Sequence, residues 1–204
     1  MRTGPKYKIC KRLGSGVFEK CQTQKFQLSE ARQGKKREKG GRRGVSDYGK
    51  QLLEKQKVRY TYGLSESQLQ RYVREATERH GGNTAGELMR RLEARLDNVI
   101  YRAGLGATRA MARQLVSHGH ITINNRRLTV PSYEVREGDE IRVREGSRVR
   151  TPFATAEERL VEHQTPAWLT FDPKKLEGKL TAEPSVEPTQ LSFDLGVVLE
   201  YYSR

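Results

Sequence analysis

The chain has 204 residues, and its 39 Lys and Arg outnumber its 25 Asp and Glu, which sets the formal net charge at pH 7 to +14. Apolar residues make up 34% of it, less than the roughly 45–50% of an average soluble domain, so small cores under a large polar surface are expected. No run of about 18 apolar residues occurs, and the N-terminus MRTGPKYKICKRLG has no apolar stretch. We therefore expect neither a membrane-spanning helix nor a signal peptide, and a cytoplasm-like compartment.

The positive charge is concentrated in the first three quarters of the chain. Residues 1–50 hold 15 Lys and Arg against 4 Asp and Glu, residues 51–150 hold 19 against 12, and residues 151–204 hold 5 against 9. An excess of this size favours a polyanionic partner, of which nucleic acid is the commonest and an anionic membrane surface the alternative. The partner-binding surface is therefore predicted within residues 1–150.

Residues 1–45 are predicted to form a basic N-terminal arm. Their stretch GKKREKGGRRG, residues 34–44, is too low in complexity to bury a core. Two interpretations stay open: a disordered, solubilising tail, or an arm that becomes ordered against phosphates. Cys10 and Cys21 are the two cysteines of the chain. They lack the paired spacing and the further ligands of a structural zinc site, and a disulfide is not expected in a reducing compartment.

Residues 46–88 are predicted to form a helical domain. One helix begins near Ser46 and ends before Gly63. The pattern Ser65-x-x-Gln68 is a capping box for a second helix. Apolar positions of that helix recur at the spacing of one face, and they are Leu69, Tyr72, Val73 and Ala76.

Residues 89–180, with a core at 92–150, are predicted to form an α+β module. One long helix is expected from Thr84 to Ala103, and a second is expected between a Thr108 cap and Gly119. Period-two alternation then predicts a hairpin that turns at Asn124-Asn125 and a strand through EIRV. The stretches WLTFD and GKLTAE predict two more strands, and residues 181–204 form a tail with an apolar end.

Arginines are predicted along one border of the apolar stripe on both helices of the module. They are Arg91, Arg95 and Arg102 in the first helix and Arg109 and Arg113 in the second. On a helical wheel, Glu93 and Asp97 fall beyond the opposite border. If the apolar stripes pack together, both basic borders emerge on one rim without acidic residues, which suits a phosphate backbone. A solvated face, which usually mixes charges of both signs, is the alternative.

Tyrosines and two neighbouring histidines lie among these basic residues in the sequence. The tyrosines can stack on unpaired bases or fill the edge of a core; they are Tyr48, Tyr60, Tyr62, Tyr72, Tyr101 and Tyr133. The histidines of His118-Gly119-His120 supply at most two metal ligands and have no cysteine near them. We interpret Gly119 as the left-handed end of the second helix and the histidines as donors beside Arg126 and Arg127.

The stretch RLEARLDNVIYRAGLGATRAMARQLVSHGHITINNRRLTVPSYEVREGDEIRV resembles the RNA-binding module of small-ribosomal-subunit protein four of bacteria and plastids. The same module occurs in some pseudouridine synthases and in bacterial tyrosyl-tRNA synthetases. TGP near the start, SDYGKQLLEKQKVRYTYGLSESQLQRYV and the terminal YYSR are similar to the ribosomal family in order and spacing. The resemblance therefore covers nearly the whole chain. The residues of these stretches look closest to those of cyanobacterial or plastid members.

The resemblance implies a mostly helical domain, built from the N-terminal part and the returning tail 181–204, into which the α+β module is inserted. It implies a primary binder of small-subunit ribosomal RNA that nucleates assembly of the subunit body. It also implies contacts with ribosomal proteins three and five and with mRNA near the channel through which mRNA enters, an effect on translational accuracy, and in some members repression of the operon. The location implied is the cytoplasmic ribosome of a cyanobacterium-like bacterium, or a plastid ribosome.

Charge, aromatic pattern and resemblance together predict one set of RNA-binding residues. They are Arg12, Arg43, Tyr48, Lys55, Lys57, Arg59, Tyr62, Arg91, Arg95, Asn98, Arg102, Arg109, Arg113, Gln114, His118, His120, Asn124, Arg126, Arg127, Ser132 and Tyr133.

The chain also departs from the family pattern. Some members bind zinc through four N-terminal cysteines, and here Cys10 and Cys21 match two of those positions while Tyr7 and Phe26 stand at the others. Asn125 replaces a hairpin glycine, and QTQKFQLSEARQ replaces a stretch rich in Pro and Gly.

Three functions compete on these features: a structural ribosomal protein, an RNA-modifying enzyme that carries the module, and a free translational regulator. Residues 151–204 are too short for the catalytic domain of a pseudouridine synthase. No GxSxG or HExxH motif occurs, and GSG at residues 14–16 lacks the Gly-Lys-Ser/Thr end of a P-loop. The structural protein is therefore favoured, with no catalysis, cofactor, metal or small-molecule substrate.

Overall fold

A computed structural model describes residues 4–37, 46–79, 82–151, 153–154, 156, 160, 163–186 and 191–203. The chain divides into two compact units, one of Met1–Ala85 with Glu187–Arg204 and one of Gly86–Val186. Searched over these residues, no helix combines the length and the apolar character that crossing a membrane requires. The predicted α+β class is confirmed, because helices accompany a five-stranded antiparallel sheet.

The first unit is helical. It contains α1 (Lys6–Leu13), 3-10 turns at Ser15–Val17 and Glu19–Gln22, α2 (Gln24–Arg37), α3 (Asp47–Thr61), α4 (Glu66–Glu78) and, from the tail, the helix Leu195–Tyr202, here α9. Ser46 caps α3 by accepting from the Gly49 amide, and the predicted capping box of Ser65 and Gln68 is present on α4. The tail helix α9 begins at an Asp194 cap and packs on α3 and α4.

Of the predicted arm, the structure describes residues 4–37, whereas 1–3 and 38–45, with most of the low-complexity stretch, lie outside the described residues. Within residues 4–37 a small core is buried, called here the N-terminal core, and it consists of Cys10, Leu13, Val17, Phe18, Cys21 and Phe26. Cys10 and Cys21 are joined by a disulfide, so the expectation of no disulfide is wrong. That expectation rested on the compartment alone, whereas the fold brings the two cysteines together. Tyr7 and Phe26, at the other two zinc positions, pack ring to ring with centroids 5.5 Å apart.

The second unit carries the module. Its helices are α5 (Thr84–Glu93, which begins just before the unit), α6 (Leu96–Arg102), α7 (Arg109–Ser117) and the short α8 (Glu145–Arg148). Its strands are β1 (Ile121–Ile123), β2 (Arg126–Arg127), β3 (Glu140–Val143), β4 (Leu169–Asp172) and β5 (Glu177–Leu180), in the order β2-β1-β3-β5-β4. WLTFD and GKLTAE do extend the sheet, as predicted. One continuous core lies between α6, α7 and the sheet.

The long helix predicted from Thr84 to Ala103 is wrong, because the chain leaves the helical path at Ala94 and Arg95. Arg95 takes an extended conformation and bridges to Glu134. The amides of Leu96 and Asp97 donate to the carbonyls of Tyr133 and Pro131, and the Val135 amide donates to Ala94 O. These bonds to a segment about 35 residues further along replace helical ones. They decide where the side chains of α6 point.

The turns around α7 and the hairpin agree with the prediction. Thr108 Oγ1 accepts from the Met111 amide and begins α7, and Gly119, with φ of 70°, ends it. Asn124 and Asn125 have φ of 48° and 64°, the left-handed pair of a two-residue hairpin turn. The Asn124 side chain donates to Asp139 Oδ1 and accepts from the Glu140 amide, so it also ties the hairpin to β3.

Candidate nucleic-acid interface

Five basic side chains meet where α7 passes into β1. We call this group the basic corner, and it consists of His118, His120, Arg127, Arg144 and Arg150. Gly119 turns the chain between the two histidines, and the Arg127 guanidinium lies against it and donates to His118 O at 3.2 Å. The Arg144 amide donates to His120 O at 2.9 Å, which brings the end of β3 to the same place. Gly119 therefore forms the left-handed end of α7, as predicted, and positive charge from three segments lies around it.

The pKa of His120 reflects both its burial and the positive charge around it. Burial, and after it the positive charges of His118, Arg150, Arg144 and Arg127, hold the pKa of His120 below its ordinary value of 6.5. The ring is positioned by Ser147 Oγ, 3.0 Å from Nδ1, and by Phe153, whose centroid is 5.7 Å away. An anion bound at the corner would offset the repulsion that favours neutral His120.

Arg144 and Arg150 were missed in the sequence. Both are exposed, and within the described part of the chain neither forms an ion pair. The run RVREGSRVR carries basic residues at 142, 144, 148 and 150, a cluster that could have signalled them. Of the four, Arg142 and Arg148 pair with Glu177, whereas the charges of Arg144 and Arg150 act on His120. The corner thus presents uncompensated guanidinium groups, the chemistry that binds phosphate.

Gly119→Ala is expected to disturb the basic corner, and Gly138→Ala provides the matched control. Both glycines have positive φ, 70° and 87°, so each alanine should cost about 1 kcal/mol in backbone strain. A Cβ at Gly119 would clash with the Arg127 guanidinium, whereas nothing lies within 4 Å of a Cβ at Gly138. RNA affinity should therefore fall for Gly119→Ala and stay unchanged for Gly138→Ala at similar loss of stability. Equal affinities in a filter-binding assay would show that the placement of Arg127 does not matter.

The arginine rim without acids is wrong, because the break at Arg95 turns the acids toward the arginines. Asp97 accepts from Arg95 at 2.9 Å and from Arg113 at 2.6 Å, and Glu93 accepts from Arg102 at 2.8 Å. In the same network the Asn98 side chain donates to Glu93 and accepts from Arg109 Nε. Arg91 is held by Glu87 at 2.9 Å.

The side chains of this network differ in how much of their surface a ligand could reach. Arg95 is 2% exposed and Asn98 is equally buried, so both serve the fold. Arg102, Arg109 and Arg113 are half-buried, so part of each side chain reaches solvent. Arg109 also lies 4.3 Å over the Tyr101 ring. The rim is thus a buried ionic network with partly exposed edges.

The other predicted residues of the module lie on its surface. Arg126, Gln114 and Asn124 are exposed, and Ser132 and Tyr133 are half-buried. Tyr133 holds the break at Arg95 through its carbonyl, which accepts from the Leu96 amide. Arg126 precedes Arg127 on β2.

In the helical unit, much of the predicted set serves to anchor α9. Lys55 is 5% exposed, and its ammonium binds Glu66 at 2.8 Å and lies 4.3 Å over the Tyr201 ring. Burial alone would lower the pKa of Lys55, but the hydrogen bonds to Glu66 and Tyr201 outweigh it and raise that pKa. Tyr62 is buried against Phe193.

The remaining predicted residues of this unit are partly or fully exposed. Arg59 binds Glu66 at 3.2 Å and Lys57 binds Glu54 at 2.6 Å. Tyr48 is 52% exposed beside Tyr201, and Arg12 is exposed on α1. Arg43 lies outside the described residues. Across the residues that are described, no group of three or more His, Cys, Asp or Glu could hold a metal ion.

Comparison with known proteins gives two family matches that adjoin each other. The model described as "Ribosomal protein S4/S9 N-terminal domain" matches residues 1–93, and the "S4 domain" model matches residues 94–141. The chain is similar to "Small ribosomal subunit protein uS4" of Roseiflexus sp. (strain RS-1), at 45% identity over 98% of both chains. The protein of the same name from Desulforamulus reducens is 41% identical, over 99% of this chain and 98% of the relative. That from Acidithiobacillus ferrooxidans (strain ATCC 53993 / BNL-5-31) is 43% identical over the same shares.

Proposed function

The chain belongs to the ribosomal protein uS4 family, and from this premise we propose that it binds small-subunit ribosomal RNA through the basic corner of its Gly86–Val186 unit. The family is one of structural, non-enzymatic proteins of the small ribosomal subunit. Its named relatives are bacterial ribosomal proteins. The RNA-modifying enzyme considered from the sequence is therefore set aside.

The observation that carries the proposal is the exposed positive charge of the corner. Arg144, Arg150 and Arg127 are exposed on different segments that converge on two histidines. A phosphate backbone offers repeated anionic oxygens at short spacing, so a cluster of guanidinium groups can neutralise neighbouring phosphates. Arg126 on β2 and the partly exposed Arg109 and Arg113 add further positive charge to the same unit.

The helical unit supports a second area of contact. Arg12, Lys57 and Arg59 supply positive charge there, and Tyr48 supplies an exposed aromatic ring. Such a combination suits backbone contacts together with stacking of an unpaired base. Lys55 and Tyr62 contribute by holding α9 in place.

The finer role that we propose is the one the family resemblance implies. The protein would bind the ribosomal RNA as a primary binder and nucleate assembly of the subunit body. It would then lie beside ribosomal proteins three and five near the channel through which mRNA enters, and affect translational accuracy. The host ribosome proposed is bacterial, of cyanobacterial kind, or that of a plastid.

The test combines sedimentation with crosslinking of the tagged full-length chain in its host. We expect the chain to sediment with the small subunit on a sucrose gradient and to crosslink to small-subunit ribosomal RNA. If most of the protein sediments apart from small subunits, it is a free regulator and the proposal fails. If it sediments with the subunit and yields no ribosomal RNA crosslinks, it is held there by proteins, and the RNA contact fails.

A further inference from the structure

The N-terminal core is small for the number of segments that it holds together. Six buried residues come from α1, the two 3-10 turns and α2, and Leu53 and Tyr60 of α3 pack against them. Its disulfide joins Cys10 of α1 to Cys21 of the second turn, 11 positions along the chain. A core of this size contributes little cohesion by burial, so the covalent link is a large part of what holds α1 to the turn.

Three lysines depend on that link for their position. Lys6 of α1 lies 5.4 Å over the Phe18 ring, and Lys20 of the second turn lies 5.7 Å over the Tyr7 ring of α1. Lys11 of α1 donates to Ser29 Oγ of α2 at 3.0 Å. Each contact joins a residue of α1 to a residue that follows α1 in the chain, namely Phe18, Lys20 or Ser29. If α1 separates from the turn, all three ammonium groups lose the partners that position them.

We propose that the Cys10–Cys21 disulfide is a redox switch that controls the order of residues 6–29 and, through the lysines placed on them, the affinity for RNA. The second half of this proposal rests on the proposed function. In the oxidised chain the three ammonium groups are held in place by these contacts. In the reduced chain the same charges are present on a loosened segment. Binding must then bear the cost of ordering that segment.

The switching step is thiol–disulfide exchange with a dithiol reductant. A thiolate of the reductant attacks one sulfur of the pair, the Cys10–Cys21 bond breaks, and a mixed disulfide forms with one half of the reductant. The second thiol of the reductant closes its own disulfide and releases the protein. Two electrons and two protons pass to Cys10 and Cys21, which become thiols, and a disulfide oxidant reverses the exchange.

The structure also sets the accessibility of the switch. Both cysteines are buried, so a reductant reaches them only when the segment opens locally. RNA that binds the ordered segment should oppose this opening. Because linkage is reciprocal, the factor by which the disulfide raises RNA affinity equals the factor by which RNA shifts the disulfide equilibrium toward oxidation.

The experiment compares the full-length oxidised chain with the same chain reduced by dithiothreitol, with thiols counted by alkylation and mass spectrometry. Hydrogen exchange should speed up in residues 6–29 on reduction and stay unchanged in residues 86–151. Affinity for small-subunit ribosomal RNA should fall by at least about fivefold at 0.1 M salt, because binding must also order residues 6–29 of the reduced chain. The double variant Cys10→Ala with Cys21→Ala is the control, and it should bind like the reduced chain with and without dithiothreitol.

Unchanged hydrogen exchange in residues 6–29 after complete reduction overturns the switch, whatever the RNA result. Altered exchange with equal RNA affinity overturns its control of binding. If neither form binds the RNA, the proposed function fails, and the exchange data still decide whether the disulfide controls order. A variant that responds to dithiothreitol as the wild type does would show that the effect comes from elsewhere in the chain.

Discussion

Asp97→Asn is expected to destabilise the Gly86–Val186 unit by about 3–5 kcal/mol, the usual cost of breaking a buried ion pair from one side. The Asp97 side chain is 6% exposed, and Asp97 Oδ2 accepts from Arg95 Nη2 at 2.9 Å and from Arg113 Nη2 at 2.6 Å. Asparagine keeps the shape, but it removes the negative charge and, in either orientation of its amide, turns a donor group toward Arg95. Arg95, itself buried, would lose the carboxylate that compensates its charge.

The isosteric control is Glu140→Gln in the same unit. Glu140 also pairs with an arginine, Arg142 at 2.9 Å, but its side chain is 50% exposed. Because water screens an exposed pair, its loss should cost at most about 1 kcal/mol. Trp168, the one tryptophan of the chain, lies buried in this core, so its fluorescence in a urea titration reports the unit's unfolding. Similar costs for the two variants would mean that burial does not decide the strength of the Asp97 network.

The Asp97 network also shows why the local sequence pattern gave a wrong prediction between Thr84 and Ala103. Leu88, Leu92, Leu96, Val99 and Ala103 repeat at helical spacing without interruption. A local pattern therefore predicts one helix with its acids facing away from its arginines. The break depends on amides that donate to the carbonyls of Pro131 and Tyr133, and no periodicity near residue 95 encodes a partner so far along the chain. Once the helix breaks, Glu93 and Asp97 change sides and the supposed rim becomes paired.

Features that depend on a few adjacent residues were predictable. The capping box of Ser65 and Gln68, the Thr108 cap and the left-handed Gly119 each follow from chemistry within about five residues. The same holds for the hairpin at Asn124 and Asn125.

The disulfide and the basic corner, by contrast, could not be predicted from adjacent residues. Cys10 and Cys21 meet because α1 folds back on a turn, and Arg144 comes next to His120 because β3 pairs with β1. Tertiary pairing creates both groups, so the sequence could supply their members but not their proximity.

Replacing Arg144 and Arg150 together by glutamine is expected to lower RNA affinity by about 25- to 60-fold at 0.1 M salt. Each guanidinium that neutralises one phosphate adds about 0.7–0.9 to the log–log salt slope, so its loss costs about five- to eightfold at that salt concentration. Two losses multiply, and the slope should fall by about 1.4–1.8. The fold should be kept, because both side chains are exposed and form no ion pair within the described part of the chain.

Lys174→Gln with Lys175→Gln is the matched control, because it removes the same two charges from exposed positions of the same unit, in the turn between β4 and β5. If RNA responds to the net charge of the protein alone, the two double variants should weaken binding equally. If it is bound at the corner, the lysine variant should keep most of its affinity and its salt slope. The decisive quantity is the difference between the two salt slopes: a difference near zero places the RNA contact outside the corner, and a difference above about 1 places it at Arg144 and Arg150.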